Sequence, residues 1–156
     1  MYKKIAKTLA ICFLTVASMA FTISPTAFAD APAGQTTTLY ERLGGWDGIN
    51  QVVRDTIARH HDNPAISHFF ENVDDEQLAA HVTAFFAAGT GGPSKYEGRD
   101  MTSAHAGMKM SDADFDSAVA DVLSAVDQNG VGAVEKSEVA AILESLRPAV
   151  MGTAGT

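Results

Sequence analysis

One cysteine stands in 156 residues, Cys12, and it lies in the apolar opening segment. The chain beyond it has no thiol. That excludes disulfides, thiol catalysis, thiolate zinc or iron–sulfur sites and covalent cofactor attachment through C-x-x-C-H. Ile11 before Cys12, and only four residues between Lys7 and Cys12, argue against a lipidated cysteine. Basic residues are also scarce: 11 Lys and Arg against 19 Asp and Glu. Three of the lysines fall in the first seven residues, so 8 basic and 19 acidic residues remain after residue 29, a charge of −11. That balance argues against nucleic acid and anionic membranes as partners, since both select basic patches. No apolar run after residue 29 is long enough to span a bilayer. There is no sustained alternation of β-branched residues, so no sheet is expected. Nucleophile elbows, phosphate-cradling loops and His-Glu-x-x-His are missing as well.

The opening segment has a pattern of its own. Lys3, Lys4 and Lys7 precede a mostly apolar stretch from Thr8 to Ile23, and Ala27-Phe28-Ala29 offers a small-x-small cleavage site. Residues 1–29 therefore read as a secretory signal peptide cut before Asp30. This predicts an exported protein, periplasmic or extracellular. Residues 30–38 read as a flexible leader, 39–150 as one domain and 151–156 as a frayed tail. A chain of that size buries roughly two-thirds of its unfolded surface and needs no staple.

Helical spacing runs through the domain. Leu39 to Leu43 forms a short turn ending at Gly44-Gly45. Asp47 is placed to cap a helix whose stripe is Ile49, Val52, Val53 and Ile57, with Thr56 and His60 alongside. Asn63-Pro64 stops it, and Pro64 can start a short helix carrying Ile66, Phe69 and Phe70. Asp74 or Asp75 caps the next, with Leu78, His81, Val82, Phe85 and Phe86 on its inner face. After a polar loop from Lys95 to Asp100, a weak helix from Met101 to about Met108 carries His105. Ser111 caps a long helix with Phe115, Val119, Val122, Leu123 and Val126. Asn129-Gly130 and Gly132 break it before a last helix with Val139, Ile142, Leu143, Leu146 and Val150. Four substantial helices and three short ones predict an all-α fold.

Two histidines unsettle a plain bundle. His81 lies on an apolar face, where a core histidine with one hydrogen bond is the commoner reading. His105 lies in Ser-Ala-His-Ala-Gly, among small residues that let a flat group lie close to a helix. The pairs Phe69-Phe70 and Phe85-Phe86 add bulky walls. Histidines, aromatic walls and no cysteine together point to non-covalent haem with an imidazole on iron.

Leu-Tyr-Glu-Arg-Leu-Gly-Gly at 39–45 resembles the opening of the group I truncated haemoglobins. So do Asp62 to Phe70, Ala84-Phe-Phe-Ala-Ala with Gly91-Gly92-Pro93, and Tyr96-x-Gly98-x-x-Met101-x-x-x-His105. The likeness runs from about Leu39 to Pro148. It implies a two-over-two helical sandwich around haem b, with His105 as proximal iron ligand. By the same resemblance Phe70 packs on the haem edge and Phe86 gates a ligand tunnel. Leu78, Val82, Phe85, Ile57 and Met101 complete the expected cofactor-binding set.

The departures concern ligand chemistry. The family usually places a tyrosine on the second helix and often a glutamine on the facing helix, which together hydrogen-bond bound oxygen. Those positions hold Ile57 and Val82. A buried donor of that kind contributes about 1–3 kcal/mol, so oxygen should bind roughly tenfold or more weakly without it. His81 has three readings: an iron ligand on the distal side, a partner for a haem propionate, or a surface residue. His60 is a further distal candidate that reads as a packed or half-exposed histidine; His61 and His68 read as surface.

The expected function is binding of oxygen, carbon monoxide or nitric oxide at His-ligated iron. The alternative is a bis-histidine electron-transfer or gas-sensing protein with a redox partner. Weak nitric-oxide dioxygenase or peroxidase activity would need bound oxygen or peroxide and a reductant, so the missing donors count against an enzyme, and no catalytic residue is assigned. From another class, Asp127 to Glu138 resembles a calcium loop, with Val131 where an oxygen ligand belongs. A helical calcium-binding or interaction module without haem is the third reading.

Overall fold

In the computed structural model, residues 37–152 are described. The expected signal peptide, most of the leader and the end of the tail lie outside them. The described residues form six α-helices and one 3₁₀ turn, with no strand: α1 (Leu39–Arg42), α2 (Gly45–Asp62), the 3₁₀ turn (Ser67–Phe69), α3 (Asp75–Gly89), α4 (Met101–His105), α5 (Asp112–Gln128) and α6 (Ala133–Val150). The all-α expectation holds. α2 packs on both α3 and α5, α5 packs on α6, and α4 rests against α6.

Side chains cap most helix starts. Thr38 and Glu41 form a reciprocal capping box at α1. Asp74 accepts from the Gln77 amide at α3, and Asp100 from the Ser103 amide at α4. Ser111 and Asp114 form a second box at α5. Three sequence expectations shift. Asp47 does not cap α2: Gly44 does, at φ +85°, where only glycine sits without strain, and Asp47 falls in the first turn. Pro64 does not open the next segment, since the 3₁₀ turn begins at Ser67. The helix expected to reach Met108 ends at His105, because Ala106 leaves the helical region and Gly107 turns at φ +84°.

The core is in two parts. Ile49, Val53 and Ile57 of α2 pack on Ala79 and Ala87 of α3. Leu39, Val126, Val139 and Leu143 join α1, α5 and α6. α3 therefore differs from its sequence reading. Its buried stripe is Ala79, Thr83 and Ala87, small residues that let α2 come close, and Asn50 Nδ2 donates to Thr83 Oγ1 at 3.0 Å across that contact. Leu78, Val82, Phe85 and Phe86 lie on the neighbouring face, half-buried. His81, read from sequence as an inner-face residue, is exposed.

Candidate functional site

Between the α2–α3 pair and the α4–α5–α6 side lies a cavity of about 770 Å³. That is within the range of about 300–1,000 Å³ usual for small-molecule and cofactor sites. All nine expected site residues line it: Ile57, Phe70, Leu78, His81, Val82, Phe85, Phe86, Met101 and His105. The stripes of α5 and α6, expected as plain core, contribute Val119, Val122, Leu143 and Leu146. The sequence reading did not assign Tyr96, Met108 or Met110 to the site; they lie outside the helices and line the cavity.

His105 is oriented by its own helix. Its Nδ1 lies 2.9 Å from the Met101 carbonyl oxygen. A carbonyl only accepts, so Nδ1 carries the proton and Nε2 keeps its lone pair. This is how a metal-ligating imidazole has its tautomer and ring orientation set. Asp100 caps the same five-residue helix through both Ser103 N and Ser103 Oγ, at 2.9 and 2.7 Å. The histidine thus stands at the end of a short element pinned at its start.

The distal side is apolar. Ile57 is buried, and Leu78 and Val82 are half-buried. Thr56, one position from Ile57, spends its hydroxyl proton on the Val52 carbonyl at 2.8 Å. Tyr96 spends its own on the Arg99 carbonyl at 3.0 Å. His60 is buried, with Nδ1 3.0 Å from Asp121 Oδ2 and its ring stacked on Phe70 at 5.0 Å between centroids. Burial holds its pKa below the ordinary histidine value, and Asp121 only partly offsets this. His61 and His68 are exposed, as expected. Arg99 and His81 stand exposed on the cavity's lining.

The segment that resembles a calcium loop folds as the end of α5, a short corner and the start of α6. Asp127 pairs with Lys136 at 2.5 Å, and Glu138 pairs with Arg42 at 2.6 Å. The first and last ligands of such a loop are thus committed to cations. No group of three or more metal-competent side chains occurs among the described residues.

An apolar cavity of cofactor size, closed by two helix pairs over an imidazole with a free Nε2, defines a haem-binding helical protein. The chain belongs to the bacterial-like globin family, whose model matches residues 38–152. It is 30% identical over 115 residues to a group 1 truncated haemoglobin of Tetrahymena pyriformis, covering 74% of this chain and 95% of that one. It is 34% identical over 110 residues to the group 1 truncated haemoglobin GlbN of Synechocystis sp., covering 68% and 89%. The solved ferric structure of the Tetrahymena pyriformis protein superposes with a TM-score of 0.70 at 29% identity, covering 74% of this chain and 98% of that one. The two-over-two fold expected from the resemblance is therefore the fold observed. Its cofactor is haem b, held without a covalent bond, and the cavity fits it: apolar walls for the macrocycle, an oriented imidazole for iron, and the exposed polar side chains of His81, Glu97 and Arg99 on its lining.

Proposed function

We propose that this globin is exported and binds small diatomic gases at a haem iron held by His105. The bond from His105 Nδ1 to the Met101 carbonyl carries the assignment, because it frees and aims Nε2 in the cavity. Bound haem supplies a ferrous iron able to take oxygen, carbon monoxide or nitric oxide. Phe70, Phe85 and Phe86 would pack on the macrocycle, and Arg99 with His81 would meet its propionates. On the distal side Ile57 and Val82 offer no hydrogen bond. A bound oxygen forgoes roughly 1–3 kcal/mol there, so carbon monoxide is favoured relative to oxygen.

Protein purified with haem available should show a Soret band. His105→Ala should lose haem or hold it weakly, with recovery in added imidazole. Full haem retention by that variant sinks the assignment. Export is tested by fractionation and N-terminal sequencing, with a mature start at Asp30.

A second reading rests on His81, which lines the cavity with no hydrogen-bond partner among the described residues. With no outside ligand it would bind iron opposite His105 and suit the protein to electron transfer with a redox partner. Carbon monoxide would then bind at a rate that saturates with concentration, and His81→Leu would abolish the saturation and leave ferrous iron high-spin. Ferrous wild type already high-spin at neutral pH leaves His81 a propionate partner at most.

A further inference from the structure

Four side chains meet where the end of α2 crosses α5. His60 Nδ1 lies 3.0 Å from Asp121 Oδ2, and Asn63 Nδ2 donates to the same oxygen at 2.8 Å and to Ser117 Oγ at 2.9 Å. An ionised carboxylate only accepts, so the His60 proton sits on Nδ1 and the neutral ring carries a lone pair on Nε2. The ring is 8% exposed and lines the cavity. Nε2 has no protein partner, yet among the described residues Arg59 Nε is the side-chain polar atom that is both sealed and unbonded. Nε2 is therefore accessible, on a residue that lines the cavity.

A neutral histidine held this way cannot donate to bound oxygen. It can accept a proton, and Asp121 is in place to stabilise the imidazolium. The lining offers little else for that task. Of the other proton acceptors in the lining, Glu97 and His81 are exposed and His105 is assigned to iron. The charged and titratable groups facing His60 are Asp121 from α5 and His61 alongside it on α2, which is itself held 2.9 Å from Asp75 of α3. Burial keeps the ring neutral near pH 7 and so ready to accept.

We infer that His60 is a base within the pocket that admits small protic ligands of the form H–X, such as hydrogen sulfide or hydrogen cyanide, to ferric iron. The inference rests on the assignment of His105 to haem iron. As the ligand enters, the X–H bond breaks and its proton goes to His60 Nε2. The bonding pair stays on X, and the iron that His105 would hold would offer the resulting anion a site. No electron is transferred, and the new positive charge on His60 faces Asp121. Neutral H–X crosses the apolar walls more readily than X⁻ does, because burying an unpaired anion is costly.

The test is stopped-flow binding of cyanide and of sulfide to the ferric holoprotein at neutral pH, in a His81→Leu background that removes a competing imidazole. His60→Leu should slow both by about 100-fold, within the span typical of a positioned base. Asp121→Asn should slow them less. Carbon monoxide, with no proton to give, should change its rate of binding to the ferrous forms far less than either acid does. His60→Gln keeps a polar side chain that cannot take the proton, and should behave as His60→Leu does should the leucine variant fold poorly. Independently of haem, nitrogen NMR of the apoprotein should show His60 as the Nδ1–H tautomer. Unchanged cyanide and sulfide rates in variants that keep the Soret band overturn the role of His60 alone. A parent protein without a Soret band overturns the haem assignment instead.

Discussion

Burial sets the charge of His60. Its folded pKa lies below the ordinary value of about 6.5, because desolvation outweighs the attraction of Asp121. The unfolded chain therefore binds more protons than the folded one as pH falls below that value, and folding stability falls with it. The contribution is complete above about pH 6.5 and is lost as pH falls toward the folded pKa. Denaturant melts across this window should show the fall in wild type and a flatter profile in His60→Gln; parallel profiles would mean that another group governs the acid limb. The two key histidines were unequally legible. His105 stands among small neighbours in a recognisable run, so its sequence setting points to its role. His60 reads as a packed or half-exposed histidine with a distal role only as a further candidate, because its partner Asp121 lies 61 residues away on another helix.

Helices in this chain are held as much by backbone approach as by large side chains. Gly48 lies inside α2, where alanine would ordinarily be favoured by about 1 kcal/mol. Here an added Cβ would meet the Leu43 carbonyl oxygen at 2.1 Å, so the clash reverses the sign. Gly48→Ala should lower stability by about 1–3 kcal/mol, read as a lower melting midpoint; a stabilised variant would contradict the close approach of the α1–α2 corner. α4 gives a different prediction. Its Asp100 carboxylate accepts from the Ser103 amide and hydroxyl, and these bonds hold its pKa below the usual carboxylate range. The cap is thus present above the ordinary value and lost as pH falls through the depressed one. Asp100→Ala should fray α4 and speed haem dissociation, measured by transfer to an excess of apomyoglobin, with the long helices unchanged by circular dichroism. Equal dissociation rates would separate the cap from the placement of His105.

The described residues surround a cavity that lies beside two packed clusters. Large apolar side chains, Phe85, Phe86, Val122 and Leu143 among them, line that space. Haem should therefore complete the core as well as supply the chemistry. Because it binds the folded chain and not the unfolded one, free haem at 1,000 times its dissociation constant should add about 4 kcal/mol. The melting temperature should rise with haem occupancy in calorimetry. Equal melting of apoprotein and holoprotein would show that the cofactor contributes nothing to the fold.

Much of this was determined by local pattern. The helix count, the caps at Asp74 and Ser111, the breaks at Gly44-Gly45 and Asn129-Gly130 and the setting of His105 depend on neighbours three or four residues apart, which periodicity and capping chemistry register. Tertiary structure decided the rest. It turned Ala79, Thr83 and Ala87 into the contact face of α3 and left Leu78, Val82 and Phe85 to a cavity, because the closest helix approach goes to the smallest side chains. It paired Asp127 with Lys136 and Glu138 with Arg42, and put most of the twelve residues that resemble a calcium loop into the ends of α5 and α6. And it placed Asp121 against His60, which settled the proton on one ring nitrogen and left the other facing the pocket.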